Sequence, residues 1–279
     1  MKRFFLLSLL LTIATVAWAQ QPSIAKGDSK KQFTFLQVTD PQIGFHLKGQ
    51  TLQWTIDNFE TMVARINQLK PAFVIVTGDL VHRHFKPEQV EAYSRVVKKI
   101  RPDIPVFHIP GNHDMPKYAS APRKQYLDSL GYDKFSFEYG GYGFIGINSN
   151  ALVCDTLPAH HDAVAQLKWM LGELKKYKHL KGVFVFAHHP PVLAPDSPVK
   201  HKSEWNEPYR TQYVKAMKKY HVKAIFDGHT HYGETTQIDG IPVYTTSASS
   251  LPLYGGTSGY LSITVSPDGT WKATPRPLE

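Results

Sequence analysis

Carboxylates, amides and imidazoles recur along this sequence in five short polar runs, and each run directly follows an apolar one. Phe33 to Thr39 leads into Asp40-Pro41-Gln42, Phe73 to Thr77 into Gly78-Asp79, and Val106 to Pro110 into Gly111-Asn112-His113-Asp114. Val183 to Ala187 leads into His188-His189, and Lys223 to Asp227 into Gly228-His229-Thr230-His231. The Asp40 and Asp79 carboxylates, the Asn112 amide and the imidazoles of His188, His229 and His231 form a mixed oxygen and nitrogen donor set that suits Mn, Fe or Zn. One ion would not use them all. The set implies two divalent or trivalent ions about 3.5–4 Å apart that share a central carboxylate, an arrangement that activates water for in-line attack on phosphorus.

Residues so far apart can meet only if the runs before them are parallel strands whose carboxyl ends open on one crevice. The apolar runs are short and rich in β-branched and aromatic residues, as buried strands are. The intervals from Asp40 to Asp79 and from Asp79 to Asn112 each accommodate a strand, a helix and the next strand, a unit of roughly 30 residues or more. Helical stripes lie where that scheme needs them. Leu52, Ile56, Phe59, Val63, Ile66 and Leu69 recur at threes and fours before Pro71 stops the helix, and Val90, Tyr93, Val97 and Ile100 follow Pro87, a first-turn residue. Val164, Leu167, Leu171, Leu174 and Tyr177 form a third stripe, and Tyr209, Tyr213, Met217 and Tyr220 a fourth. Residues 135–148 and 235–265 instead alternate and are broken by Gly and Pro, as antiparallel hairpins are. The chain therefore reads as α/β with an antiparallel component.

Taken in order, Asp40, Gly78-Asp79, Gly111-Asn112-His113-Asp114, His188 and Gly228-His229-Thr230-His231 resemble the motifs of the calcineurin-like metallophosphoesterase superfamily, over about residues 33 to 231. The resemblance implies a two-sheet β-sandwich flanked by helices and assigns roles residue by residue. Asp79 would bridge both ions. Asp40 and His231 would hold the first ion; Asn112, His188 and His229 would hold the second, His188 being preferred to His189 because it stands two residues before Pro190. His113 would contact the phosphate and protonate the departing oxygen, with Asp114 orienting it. Most relatives have a further ligand to the first metal where this chain has Gln42, a residue that can ligate through its carbonyl oxygen or bind through water. The Asp-Pro-Gln form is similar to a subgroup associated with protein phosphatase activity. His82 and His189 are candidate substrate-binding residues, and His189 reads equally as an outer support of the second metal or as a loop histidine. A tyrosine takes the place of His82 in purple acid phosphatases, which disfavours that subclass.

The implied reaction is hydrolysis of a phosphomonoester, on a small molecule or a phosphoprotein, by hydroxide held between the ions. Phosphodiester hydrolysis would use the same metals with different pocket walls. A non-catalytic metal-dependent phosphate-binding protein would have no need of a proton donor at His113. Segment 194–208, with His201, Lys202 and Trp205, emerges beside His188 as either a substrate wall or a surface loop. His84, His108, His160, His161, His179 and His221 read as surface or structural groups.

With 279 residues, 42% hydrophobic and 20% charged, the composition excludes a disordered or fibrous chain. The net charge of +9 resides largely in pairs such as Lys98-Lys99 and Lys218-Lys219, near expected helix ends, and no basic block with interleaved aromatics marks a nucleic-acid surface. Lys2-Arg3, the apolar run Phe4 to Ala17 and the small residues Ala17 and Ala19 form a three-part secretory signal. Residues 1–19 are therefore expected to be removed and the protein to be periplasmic or secreted, without stable membrane insertion. Residues 20–31 read as a flexible N-terminal tail and 32–279 as a single domain. Cys154 is the only cysteine, so no internal disulfide forms. Oligomeric state is not legible.

Overall fold

Side-chain alternation along each strand sets the architecture. Strand β1 (Phe33–Val38) turns Phe35 to one face and Leu36 and Val38 to the other, and β2 (Val74–Thr77) turns Ile75 opposite to Val74 and Val76. A computed structural model describes residues 21–199 and 204–278; the expected signal segment, His201 and Lys202 lie outside the described residues. Among these, β1 and β2 join β3 (Val106–Ile109), β10 (Gly259–Val265) and β11 (Trp271–Pro277) in a five-stranded sheet ordered β11-β10-β1-β2-β3. The second sheet, ordered β4-β5-β6-β7-β9-β8, contains β4 (Phe135–Tyr139), β5 (Tyr142–Gly146), β6 (Val183–Phe186), β7 (Val222–Asp227), β8 (Glu234–Ile238) and β9 (Ile241–Thr245).

The inner faces of the two sheets enclose a core dominated by Phe35, Phe73, Phe107, Phe144, Phe184, Phe186 and Phe226. On the outer faces, Leu36, Val38, Val74 and Val76 share a buried cluster with Ile56, Phe59 and Val63 of α1 (Leu52–Leu69) and Tyr93 and Val96 of α2 (Pro87–Val97). Thr51 caps α1 by accepting from the Trp54 amide, and Lys70 ends it in a left-handed conformation. The expected two-sheet sandwich flanked by helices is the observed fold.

Three features differ from the sequence expectation. A helix, α3 (Ser120–Leu130), and the short α4 (Asn150–Val153) precede α5 (Leu157–Lys176), and the buried face of α5 is Ala159, Ala163, Gln166, Met170 and Leu174. Val164 is 60% exposed, because small Ala163 and hydrogen-bonded Gln166, rather than bulkier neighbours, fit against the sheet. The region 235–265 does not form a single antiparallel unit: β8 and β9 make a hairpin, but β9 also pairs in parallel with β7, and β10 crosses to the other sheet beside β1. The segment expected as a flexible tail lies against the β4–β5 hairpin, where Lys26 O accepts from the Gly140 amide at 2.8 Å and Ile24 packs on the inner core. The last helix, α6 (Tyr209–Lys219), buries Tyr209, Tyr213 and Met217 as its stripe predicts.

Candidate metal centre

Parallel strands β1, β2, β3, β6 and β7 end at one crest, which gathers the five polar runs. Asp40, Gln42, Asp79, His229 and His231 all hold left-handed backbone, with φ of 49°, 35°, 47°, 69° and 56°. Non-glycine residues adopt this region rarely and at a cost, so its concentration at the ligand candidates marks a functional constraint. The turns also bring backbone against the carboxylates. A Cβ on Gly111 would lie 2.1 Å from Asp79 Oδ1, and one on Gly228 would lie 2.6 Å from Asp40 Oδ2. Only glycine fits at either position.

Two groups of possible ligands form. In the first, donor atoms of Asp40, Asp79 and His231 lie within 4.8 Å of one another. Asp40 Oδ2 accepts from Thr39 Oγ1 at 2.6 Å and from the His229 amide at 2.9 Å, whereas its buried Oδ1 has no hydrogen-bond donor and stands 3.4 Å from His231 Nε2. Gln42, 2% exposed, reaches Asp79 Oδ2 with its amide nitrogen at 3.4 Å, and its buried carbonyl oxygen has no partner. In the second group, the donor atoms of His188, His189 and His229 fall within 4.8 Å of one another. His188 Nε2 is 3.1 Å from Asn112 Oδ1 and 3.5 Å from Asp79 Oδ1. Asp79 thus stands between the groups, with Oδ2 on the side of Gln42 and Oδ1 on the side of His188.

Imidazole tautomers agree with ligation. His188 Nδ1 donates to Thr77 O at 2.8 Å and His231 Nδ1 donates to Leu251 O at 2.6 Å, since a carbonyl only accepts. With Nδ1 as the donor in each ring, it is the neutral imidazole that offers a lone pair on Nε2, the nitrogen beside the carboxylates. Burial opposes charge on all four groups, but the pairing dominates. His188, desolvated yet beside Asp79, is pushed up to about 9, and His231 is raised by Asp40. Despite complete burial, Asp79 is held well below the usual carboxylate range by His188 and His113, and Asp40 is lowered by His231. Two buried carboxylates beside these imidazoles, with the Asp40 Oδ1 and Gln42 Oε1 acceptors left undonated, favour positive charge in the site. Two metal ions would supply it, and the oxygen and nitrogen donors present fit them.

His113 sits beside the metal ligands. Its amide donates to Asp79 Oδ1 at 2.8 Å, its Nδ1 donates to His82 O at 2.9 Å, and its ring stacks on that of His82 with centroids 4.8 Å apart. The expected orientation of His113 by Asp114 is not what the structure shows. Asp114 instead accepts from the amides of Leu80, Val81 and Gly111, tying the Asp79 turn to the Asn112 turn, so it positions backbone while the His82 carbonyl orients the imidazole. His189 also departs from the substrate-binding role. It is 3% exposed, bonds Ser149 Oγ at 3.0 Å and lies among the second group of imidazoles rather than on an open wall. Trp205 is no substrate wall either: it is 1% exposed and donates to His189 O at 2.7 Å.

Two further strand ends reach the crest. After β5, Ser149 Oγ accepts from the amides of His188 and His189, and Asn150 Nδ2 donates to Pro110 O and Gly111 O. After β9, Ser249 and Ser250 donate to Thr39 O and Asp40 O. These residues hold the ligand turns in place, and the sequence reading passed over them because Ser and Asn are ordinary turn residues.

Residues 33–233 match the calcineurin-like phosphoesterase family. The chain belongs to this family. It is a metal-dependent phosphoric ester hydrolase of a family that carries a dinuclear metal centre, and the two ligand groups on the crest are the residues available to it. The serine/threonine-protein phosphatase CPPED1 of Danio rerio is 27% identical over 257 residues, covering 84% of this chain and 81% of that protein. A probable glycerophosphodiester phosphodiesterase GpdQ of Arcobacter nitrofigilis is 27% identical over 224 residues, covering 77% and 78%. A dimetal phosphatase from Danio rerio shares the fold, with a TM-score of 0.59 at 15% identity over 88% of this chain and 96% of that one.

Proposed function

We propose that this protein is an exported binuclear phosphatase that hydrolyses phosphomonoesters of small molecules or phosphoproteins, with Mn, Fe or Zn as its metals. The observation that carries the reading is His113, an imidazole fixed through Nδ1 beside the bridging carboxylate, with Nε2 left to exchange a proton. Asp40, Gln42, Asp79 and His231 would hold one ion, and Asp79, Asn112, His188 and His229 the other. Bound there, two cations supply the charge that polarises a phosphoryl group and lowers the pKa of attacking water. His113 gives a proton to the departing oxygen, Asp114 keeps the two central turns in register, and the His82 carbonyl holds the acid's ring. Similarity to CPPED1 favours monoesters, and similarity to GpdQ supports phosphodiesters as the second reading. Export rests on the three-part signal in residues 1–19; mass spectrometry of exported protein should find Gln20 first, and an intact Met1 would refute cleavage.

The test compares alkyl and p-nitrophenyl monoesters with the corresponding diesters, using wild type and His113→Ala. Monoesters should be the better substrates by kcat/KM. His113→Ala should lower turnover of the alkyl monoester by about 10²–10⁴, and that of the nitrophenyl ester less, because nitrophenolate departs without a proton. Faster diester turnover would overturn the monoester reading, and equal losses on both monoesters would overturn the acid role.

A further inference from the structure

The turn that carries Asp40 and Gln42 also carries Phe45, whose amide donates to Gln42 O at 2.8 Å. The Phe45 ring lies 5.1 Å from the His82 ring at 31°, and meets His231 edge-on at 5.6 Å. His82 in turn stacks on His113 at 4.8 Å and 29°. Three rings, successively inclined by 29° and 31°, thus run from the candidate proton donor to a ligand of the first group. Phe45 belongs to neither buried apolar cluster of the protein, so core packing does not account for an aromatic residue here. Leu47, two residues after Phe45, and Phe85, three after His82, are 54% and 53% exposed, and Lys48, Arg83 and Lys86 in the same two segments are exposed cations.

We infer that Phe45 determines specificity for the leaving group, favouring esters of aryl or other flat apolar alcohols over those of polyols. The inference rests on the proposed hydrolysis, because a proton delivered by His113 fixes the departing oxygen beside His113. The alcohol attached to that oxygen lies along the ring row, and Phe45 is its apolar end. An aromatic alcohol gains ring contact there, whereas the hydroxyls of a polyol lose water against a ring that offers them no hydrogen bond. Arg83, an exposed cation next to His82, attracts the anionic phosphate without discriminating between alcohols.

The test measures kcat/KM for 2-naphthyl phosphate and glycerol 2-phosphate with metal-loaded wild type, Phe45→Ala and the apolar but non-aromatic Phe45→Leu. Affinities for benzylphosphonate and 2-hydroxyethylphosphonate are measured by calorimetry on the same proteins. Because naphtholate is intrinsically the better leaving group, only the change of each ratio on substitution counts. Phe45→Ala should lower the naphthyl-to-glyceryl ratio about 2- to 10-fold, the range of an aromatic contact, and the benzyl-to-hydroxyethyl affinity ratio likewise. Phe45→Leu should lie between, and Phe45→Tyr should keep the wild-type ratios. Equal losses on both esters would show that Phe45 acts only through His82 or His231, and unchanged ratios would show no contact; either overturns the inference. If diesters prove the true substrates, the monoester reading fails, and the same ratio taken on naphthyl and glyceryl diesters still decides the role of Phe45.

Discussion

Strands β1, β2, β6 and β7 each serve two regions of opposite character. Between the sheets, Phe35 stacks on Phe73 at 5.1 Å and Phe186 on Phe226 at 5.3 Å, in a core where Phe35, Phe73, Phe184, Phe186 and Phe226 are all 0% exposed. A few residues further along the same strands, the backbone turns left-handed at Asp40, Asp79 and His229, and buried oxygens of Asp40 and Gln42 have no donor. Strain and undonated acceptors are costly in an interior, and they persist only where surrounding structure overdetermines them or a ligand compensates them. The aromatic core supplies the rigidity, and the crest keeps its polar demand for a cation. Stability and chemistry are therefore separable along one strand.

The largest effect that sharpens this contrast belongs to the core. Phe226 is ringed by Phe35, Phe184, Phe186, Tyr244 and Trp271, yet lies only three residues before His229. Phe226→Ala should lower unfolding free energy by about 3–5 kcal/mol in urea denaturation, with the metal content of the folded protein preserved. Loss of metal without loss of stability would erase the distinction between the regions.

A smaller effect belongs to the crest. Imidazole is a better donor than an amide for Mn, Fe or Zn, and Gln42 already points its polar group at Asp79. Gln42→His should lower the metal concentration that half-restores activity to stripped protein by about 10-fold, the lower end of what altered ligand surroundings produce; Gln42→Ala should raise it. If both variants behave as wild type, residue 42 takes no part in metal binding.

The same contrast explains what the sequence made legible. Ligand candidates stood out because Asp, Asn and His after apolar runs have a chemistry that ordinary turns do not require, and the structure brings all seven to the crest. Supporting residues did not stand out. Ser149, Asn150, Ser249 and Ser250 act through single hydrogen bonds to backbone, and nothing in their type separates them from surface turns. The role of Asp114 was misassigned for a different reason: the family resemblance cast it as the orienter of His113, while its carboxylate turns back to three amides. The sandwich was legible only through the family resemblance, since pairing of β10 with β1 across more than 200 residues leaves no local signal.

The central claim is that one carboxylate joins two metal ions, and elemental analysis of metal-loaded protein tests it most directly. Wild type should bind two ions per chain. Asp79→Ala, checked for retained secondary structure by circular dichroism, should lose more than one of them, because Asp79 Oδ2 lies beside Gln42 and Asp79 Oδ1 beside His188. An Asp79→Ala protein that still holds two ions at full occupancy would contradict the bridging role.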